Sequence, residues 1–135
     1  EEAAENWQLL LDLNFHTTLN ASRAVAPHMI KQLSGAIVNT ASLDALAARA
    51  GAAAYGVSKA AVLRLSESMS AELRPYGIRV NCILPGIIDT APNRAAMPDA
   101  DHSKWLRPEA VAGAVLLLCS EEARAISGVG LPLTA

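Results

Sequence analysis

The sequence predicts an α/β fold, a doubly wound parallel sheet of about three strands with three main helices. Three observations lead there. Long helical patterns alternate with short β-branched runs at about 36–40, 78–84 and 129–133. The resulting αβαβαβ order requires parallel strands joined by right-handed crossovers. The strand runs are almost continuously apolar rather than alternating, as in sheets covered on both faces.

Each element has its own signal. Residues from about 4 to 32 read as one long helix, with Trp7, Leu10, Leu11, Asn14, Thr18, Ala21 and Val25 near one face. Pro27 is expected to bend its last turns, and Gly35 to punctuate before the buried strand Ala36–Thr40. Residues 43–54 are Ala-rich but read as a loop with a helical turn. The second long helix spans about 53–73, with Ser58, Val62, Leu65, Met69 and Leu73 inward, and Pro75 and Gly77 end it. Residues 78–84 form the second strand, closed by Pro85-Gly86. The stretch 90–104 holds two prolines and little periodicity, so it reads as a substrate-side loop with a short helix. Pro108 can open a helix at its first position, and 109–120 carry Val111, Ala114, Val115 and Leu118. Gly128 and Gly130 flank the last strand, 129–133.

Composition narrows the functional classes. With 135 residues, 52% of them hydrophobic, and a mean hydropathy of +0.26, the chain can bury one core. Aromatic residues make up only 4%, so Ala, Leu, Val and Ile must fill that core. A net charge of −2 without a Lys/Arg cluster argues against a nucleic-acid partner. No apolar run approaches the ~18 residues that would span a bilayer, so no membrane partner is expected. Cys82 and Cys119 have no metal-ligand spacing and read as a buried, reduced pair in a cytoplasmic protein. His16, His28 and His102 do not combine into a metal site, and Asp99, Asp101 and Glu109 read as a solvated loop.

The most informative stretch is Tyr55-Gly56-Val57-Ser58-Lys59. Residues four apart on a helix share a face, roughly 5–6 Å apart at Cβ, so an ammonium can sit beside a phenol without blocking it. A phenol titrates near ~10, and a neighbouring positive charge favours its ionised form. Such a pair can protonate a carbonyl oxygen or deprotonate an alcohol. Alone it is weak, because a Tyr and a solvated Lys meet at this spacing on many amphipathic helices. Ser42 lies thirteen residues upstream and Pro85 thirty downstream. In an open α/β sheet ligands collect at the carboxyl ends of the strands. Ser42 and Pro85-Gly86 both fall there.

Asn14, Ser42, Tyr55 and Lys59, followed by Val80-Asn81 and Pro85-Gly86-Ile87-Ile88-Asp89-Thr90, resemble the short-chain dehydrogenase/reductase family, from Trp7 to Pro132. The resemblance implies hydride transfer between NAD or NADP and a small-molecule carbonyl or alcohol substrate. It makes Tyr55 the acid/base and has Lys59 tune it while bonding the nicotinamide ribose. Ser42 would hold the substrate oxygen, with a plain strand-end serine as the alternative. A backbone distortion at Asn14 would position a water in a proton relay, with a solvated helical Asn as the alternative. Pro85, Gly86, the Ile88 backbone and Thr90 would contact the cofactor, Thr90 being equally readable as a helix cap. The family's subunits also associate, so a homo-oligomer, dimer or tetramer, is expected.

Measured against that family, the chain lacks the Gly-rich strand–turn–helix that cradles a dinucleotide pyrophosphate. It therefore reads as a single partial domain, 1–135: the C-terminal part of a Rossmann-like fold without roughly its first ninety to a hundred residues. A non-catalytic association module or pseudo-enzyme is the alternative from another class. The loop from Thr90 to Trp105 is also similar to that of dihydropteridine reductases, which adds quinonoid dihydropteridine as an alternative substrate class. That branch carries a small apolar residue in place of Ser42, and retention of the tetrad favours the general oxidoreductase.

Overall fold

The first helical stretch is continuous but not uniformly wound. In the computed structural model, which describes residues 4–47 and 49–135, α1 (Ala4–Leu10) passes into a π-helical segment, Leu11–His16, and then into α2 (Thr17–Gln32). The Thr17 and Thr18 hydroxyls fold back onto the carbonyls of Leu13 at 2.5 Å and Asn14 at 2.8 Å. Trp7, Leu10, Leu11, Asn14 and Thr18 are partly buried, as helical spacing predicts. Ala21 and Val25 are not: they face outward, while Ser22 and Ala26 turn in. A π turn takes up an extra residue, so the inward stripe moves one position along the chain.

Helix α2 runs through Pro27 and ends at Leu33, whose φ of 52° puts a leucine in the left-handed cap position that glycine usually fills. Gly35, expected as punctuation, is instead the first residue of β1 (Gly35–Thr40). A 3-10 turn at Leu43–Ala45 follows, then α3 (Ala53–Leu73), a 3-10 turn at Arg74–Tyr76, and β2 (Ile78–Pro85). Gly77 links the last two with φ 69°, and a Cβ there would lie 2.7 Å from the Leu33 carbonyl oxygen. The 90–104 region contains α4 (Ala91–Ala96) and a 3-10 turn at His102–Lys104. Then come α5 (Pro108–Cys119), a turn at Glu121–Ala123, and β3 (Gly130–Leu133).

The strands are parallel in the order β1-β2-β3, with Gly35 opposite Ile78 and Cys82 opposite Gly130. β2 is central and buried along nearly its whole length, which is why its run is apolar without alternation. Ile78 and Val80 pack with Ile37 and Leu73 against Met29, Ile30 and Met69. Further along the same face, Cys82 and Leu84 pack with Ala41, Val62 and Leu63. On the other face Arg79 donates to the carbonyls of Leu118, Cys119, Ser120 and Ala123, closing the C-terminal end of α5. Buried Asn81 donates to the Ile126 carbonyl at 3.0 Å and accepts from the Val129 N–H at 3.2 Å, seating the segment that enters β3. One expectation is corrected. Cys82 is buried but Cys119 is exposed, because the end of α5 turns it to solvent; both thiols are free. Among the described residues no helix is long and apolar enough to cross a membrane.

Candidate active site

The C-terminal ends of β1 and β2 meet the N-terminal end of α3 around a cleft of about 700 Å³. Ser42 leaves β1 in an extended conformation and caps the Leu43–Ala45 turn, its Oγ accepting from the Asp44 N–H at 3.2 Å. That bond occupies a lone pair and leaves the hydroxyl proton to donate elsewhere. Tyr55 and Lys59 lie on the first turns of α3, half-buried, on the face toward Ser42. The Lys59 ammonium donates to the Thr40 carbonyl at 3.2 Å and stands 5.9 Å from the centre of the Tyr55 ring. Burial pulls the Lys59 pKa below the ordinary lysine value, and the neighbouring Cys82 sulfur opposes that shift. Cys82 itself is pushed up by burial, with Ser66 and the Ala41 backbone pulling the other way.

Of the sequence-predicted residues, Ser42, Tyr55, Lys59, Pro85, Gly86 and Ile88 all line this cleft. The backbone after β2 is held open by a parallel bridge between Ile88 and Leu106: the Leu106 N–H donates to Ile87 and the Asp89 N–H to Leu106. In that pattern the N–H and C=O of Ile88 point away from Leu106. The carbonyl receives the Asn93 side-chain amide at 2.8 Å.

Two predicted residues lie off the cleft wall. Thr90 caps α4, its Oγ1 accepting from the Asn93 N–H at 3.4 Å. Asn14 sits behind the Tyr55–Lys59 turn, inside the π segment, and its Nδ2 donates to the Ser58 hydroxyl at 3.0 Å.

Sequence reasoning missed Asp44, Arg49, Asn93 and Met97, which complete the cleft. Arg49 pairs with Asp44 at 2.7 Å across the loop before α3, a contact no periodicity announces. Asn93 had a signal: read as a cap, Thr90 requires the residue three further on to face it. Outside the cleft, two hydrogen bonds from the Arg94 guanidinium hold the Asp89 carboxyl below the usual carboxylate range. Among the described residues no group of three or more His, Cys, Asp or Glu is gathered for a metal ion.

A family model described as enoyl-(acyl carrier protein) reductase matches residues 1–133. Dehydrogenase/reductase SDR family member 4 of Homo sapiens is 36% identical over 134 residues, covering 92% of this chain and 48% of the relative. A solved structure of a 3-oxoacyl-[acyl-carrier protein] reductase with bound NAD from Brucella melitensis superposes with a TM-score of 0.86. It is 32% identical and covers 98% of this chain and 52% of its own. A gluconate 5-dehydrogenase from Burkholderia cenocepacia in complex with NADP and tartrate gives a TM-score of 0.89 at 29% identity, over 98% of this chain and 56% of its own. The chain thus spans about half the length of the curated relatives it matches.

Proposed function

We propose, because this chain belongs to the short-chain dehydrogenase/reductase family, that the whole protein is an NAD- or NADP-dependent oxidoreductase acting on a carbonyl/alcohol substrate. The observation that carries this reading is the convergence of Ser42, Tyr55 and Lys59 on one cleft floored by Pro85, Gly86 and Ile88.

A bound nicotinamide would supply or accept the hydride. The cleft suits one: the Lys59 ammonium would hold ribose hydroxyls, and the Ile88 N–H would meet a carboxamide. In the reducing direction the substrate carbonyl oxygen would receive two hydrogen bonds, one from the uncommitted Ser42 hydroxyl and one from Tyr55. As the carbonyl carbon gains a hydride, its oxygen takes the Tyr55 proton, giving a neutral alcohol. Tyr55 is reprotonated from the Lys59 side, where the Asn14 segment lies behind it. Donating a proton to an oxygen that develops negative charge is worth typically about 10²–10⁴-fold in rate.

Residues 1–135 act in this reading as one partial domain whose two apolar clusters share β2. Exposed Leu9 and Leu13 on the first helical stretch and Val57 on α3 favour association with further copies, a dimer or tetramer. The reading includes a cytoplasmic location, which free cysteines favour. The test is to mix the whole protein with NADH or NADPH and a panel of ketones, aldehydes, 3-oxoacyl thioesters and quinonoid dihydropteridine. Substrate-dependent loss of nicotinamide absorbance is expected for at least one pairing. No loss with any pairing, in either direction, overturns the reading.

A further inference from the structure

We propose that Ser58 is a positioning residue for this reaction, its hydroxyl tying the π-wound segment at Asn14 to the helical turn that carries Tyr55 and Lys59. The inference rests on the oxidoreductase reading above and assigns a role to a residue that touches neither cleft nor substrate. Ser58 is fully buried, at 0% exposure. Its hydroxyl is used twice. It donates to the Tyr55 carbonyl at 2.8 Å and accepts the Asn14 amide at 3.0 Å. A hydroxyl has one proton; with that proton committed to Tyr55, only a lone pair faces Asn14, and the Asn14 amide must donate. The Asn14 backbone carbonyl in turn accepts the Thr18 hydroxyl at 2.8 Å. A directed chain therefore runs Thr18, Asn14, Ser58, Tyr55, across two helices and 44 residues of sequence.

Hydride and proton must move at nearly fixed atomic positions, and a misplacement of ~1 Å can cost 10²-fold in rate. Apolar contacts along α3 resist separation but not a small roll or slide, since they have no direction. Directed bonds do. Elsewhere on α3 the buried serines tie to other parts: Ser66 receives the Asn39 amide at 2.9 Å, and Ser70 bonds Ser127 at 2.7 Å. Those anchors lie about two and three turns beyond Lys59. At the Tyr55–Lys59 turn itself, Lys59 bonds the Thr40 carbonyl of β1, and Ser58 ties the turn to the first helical stretch.

The experiment uses the whole enzyme with Ser58→Ala, Ser58→Cys and, as a control of comparable burial, Ser70→Ala. Turnover, cofactor affinity and the titration of Lys59, followed by NMR of labelled lysine, are read for each. Ser58→Ala is expected to lower kcat about ten- to a hundredfold while cofactor affinity changes far less. Its Lys59 should titrate closer to an ordinary lysine, because a loosened turn admits water. Ser58→Cys keeps the shape with weaker bonds and should fall between; if Ser58→Ala does not fold, this variant decides. Ser70→Ala should leave kcat and the Lys59 titration near those of the wild type. A Ser58 variant with wild-type kcat, or an equal kcat loss in Ser70→Ala, overturns the proposal. If the wild type turns over no substrate at all, the oxidoreductase reading fails separately. The Lys59 titration then decides the Ser58 tie: moved in the Ser58 variants alone, it stands; unmoved, it falls.

Discussion

Lys59 is asked to do two things with one charge: favour proton exchange at its neighbour Tyr55, and hold a ribose. Both need the ammonium, and burial makes that ammonium release its proton at a lower pH than an ordinary lysine does. As pH rises through the lowered value the charge is lost, so cofactor affinity should weaken at a lower pH than an ordinary lysine would impose. Lys59→Arg, charged throughout, should abolish that fall in affinity. Lys59→Met should weaken binding at every pH and move the basic limb of the pH–rate profile upward. Titrated cofactor affinities and pH–rate profiles check both; a limb unmoved in Lys59→Met would leave Lys59 as a ribose contact alone. At this scale most of the candidate site was legible in the sequence. Ser42, Pro85 and Gly86 sit where strands end, and Tyr55 and Lys59 where a helix repeats its face, both matters of spacing. Ser58, Asp44 and Arg49 take their meaning from loop geometry or from a helix far away in sequence, which spacing cannot express.

Among the elements, the long first helix shows how far periodicity reaches. Its existence and extent follow from the pattern, and Trp7, Leu10, Leu11, Asn14 and Thr18 are partly buried as read. Beyond the π segment the stripe shifts to Ser22 and Ala26, because winding depends on packing against α3 and not on local propensity. Cys119 is a similar case: helical spacing places it at the end of α5, but only the neighbours decide that it faces solvent. Two stability predictions belong here. Asn81→Ala would strand the Ile126 carbonyl and the Val129 N–H, both part-buried; a fully buried group left unpaired costs about 1–3 kcal/mol, so denaturant unfolding should show a loss of about 1–3 kcal/mol in all, since water reaches part of each group. Leu33 is exposed at 66% and held at φ 52°, so Leu33→Gly removes backbone strain and little packing. The αL conformation costs a non-glycine residue about 1–2 kcal/mol, partly offset by the freer unfolded chain, so a small net gain in the unfolding midpoint is expected.

For the molecule as a whole, the sheet order puts β1 on the outside, with the exposed Thr40 at its end. An open parallel edge is a template for another strand, and Leu116 and Leu117 on α5 add apolar surface at 71% and 53% exposure. Sedimentation of the 135-residue chain by itself should therefore show self-association. Its affinity for NADH or NADPH should be no tighter than millimolar, about 4 kcal/mol, since the cleft offers no Gly-rich cradle for a pyrophosphate. A monomer binding either cofactor at micromolar levels would contradict both points.

In the proposed hydride-transfer reaction the Tyr55 hydroxyl exchanges the proton. Tyr55→Phe in the whole protein keeps the ring and its packing and removes only that group. In this variant kcat should fall well over tenfold while cofactor affinity stays close to wild type. A variant that keeps more than about a tenth of wild-type turnover has lost less than ~1.4 kcal/mol of transition-state stabilisation, and Tyr55 is then not the acid.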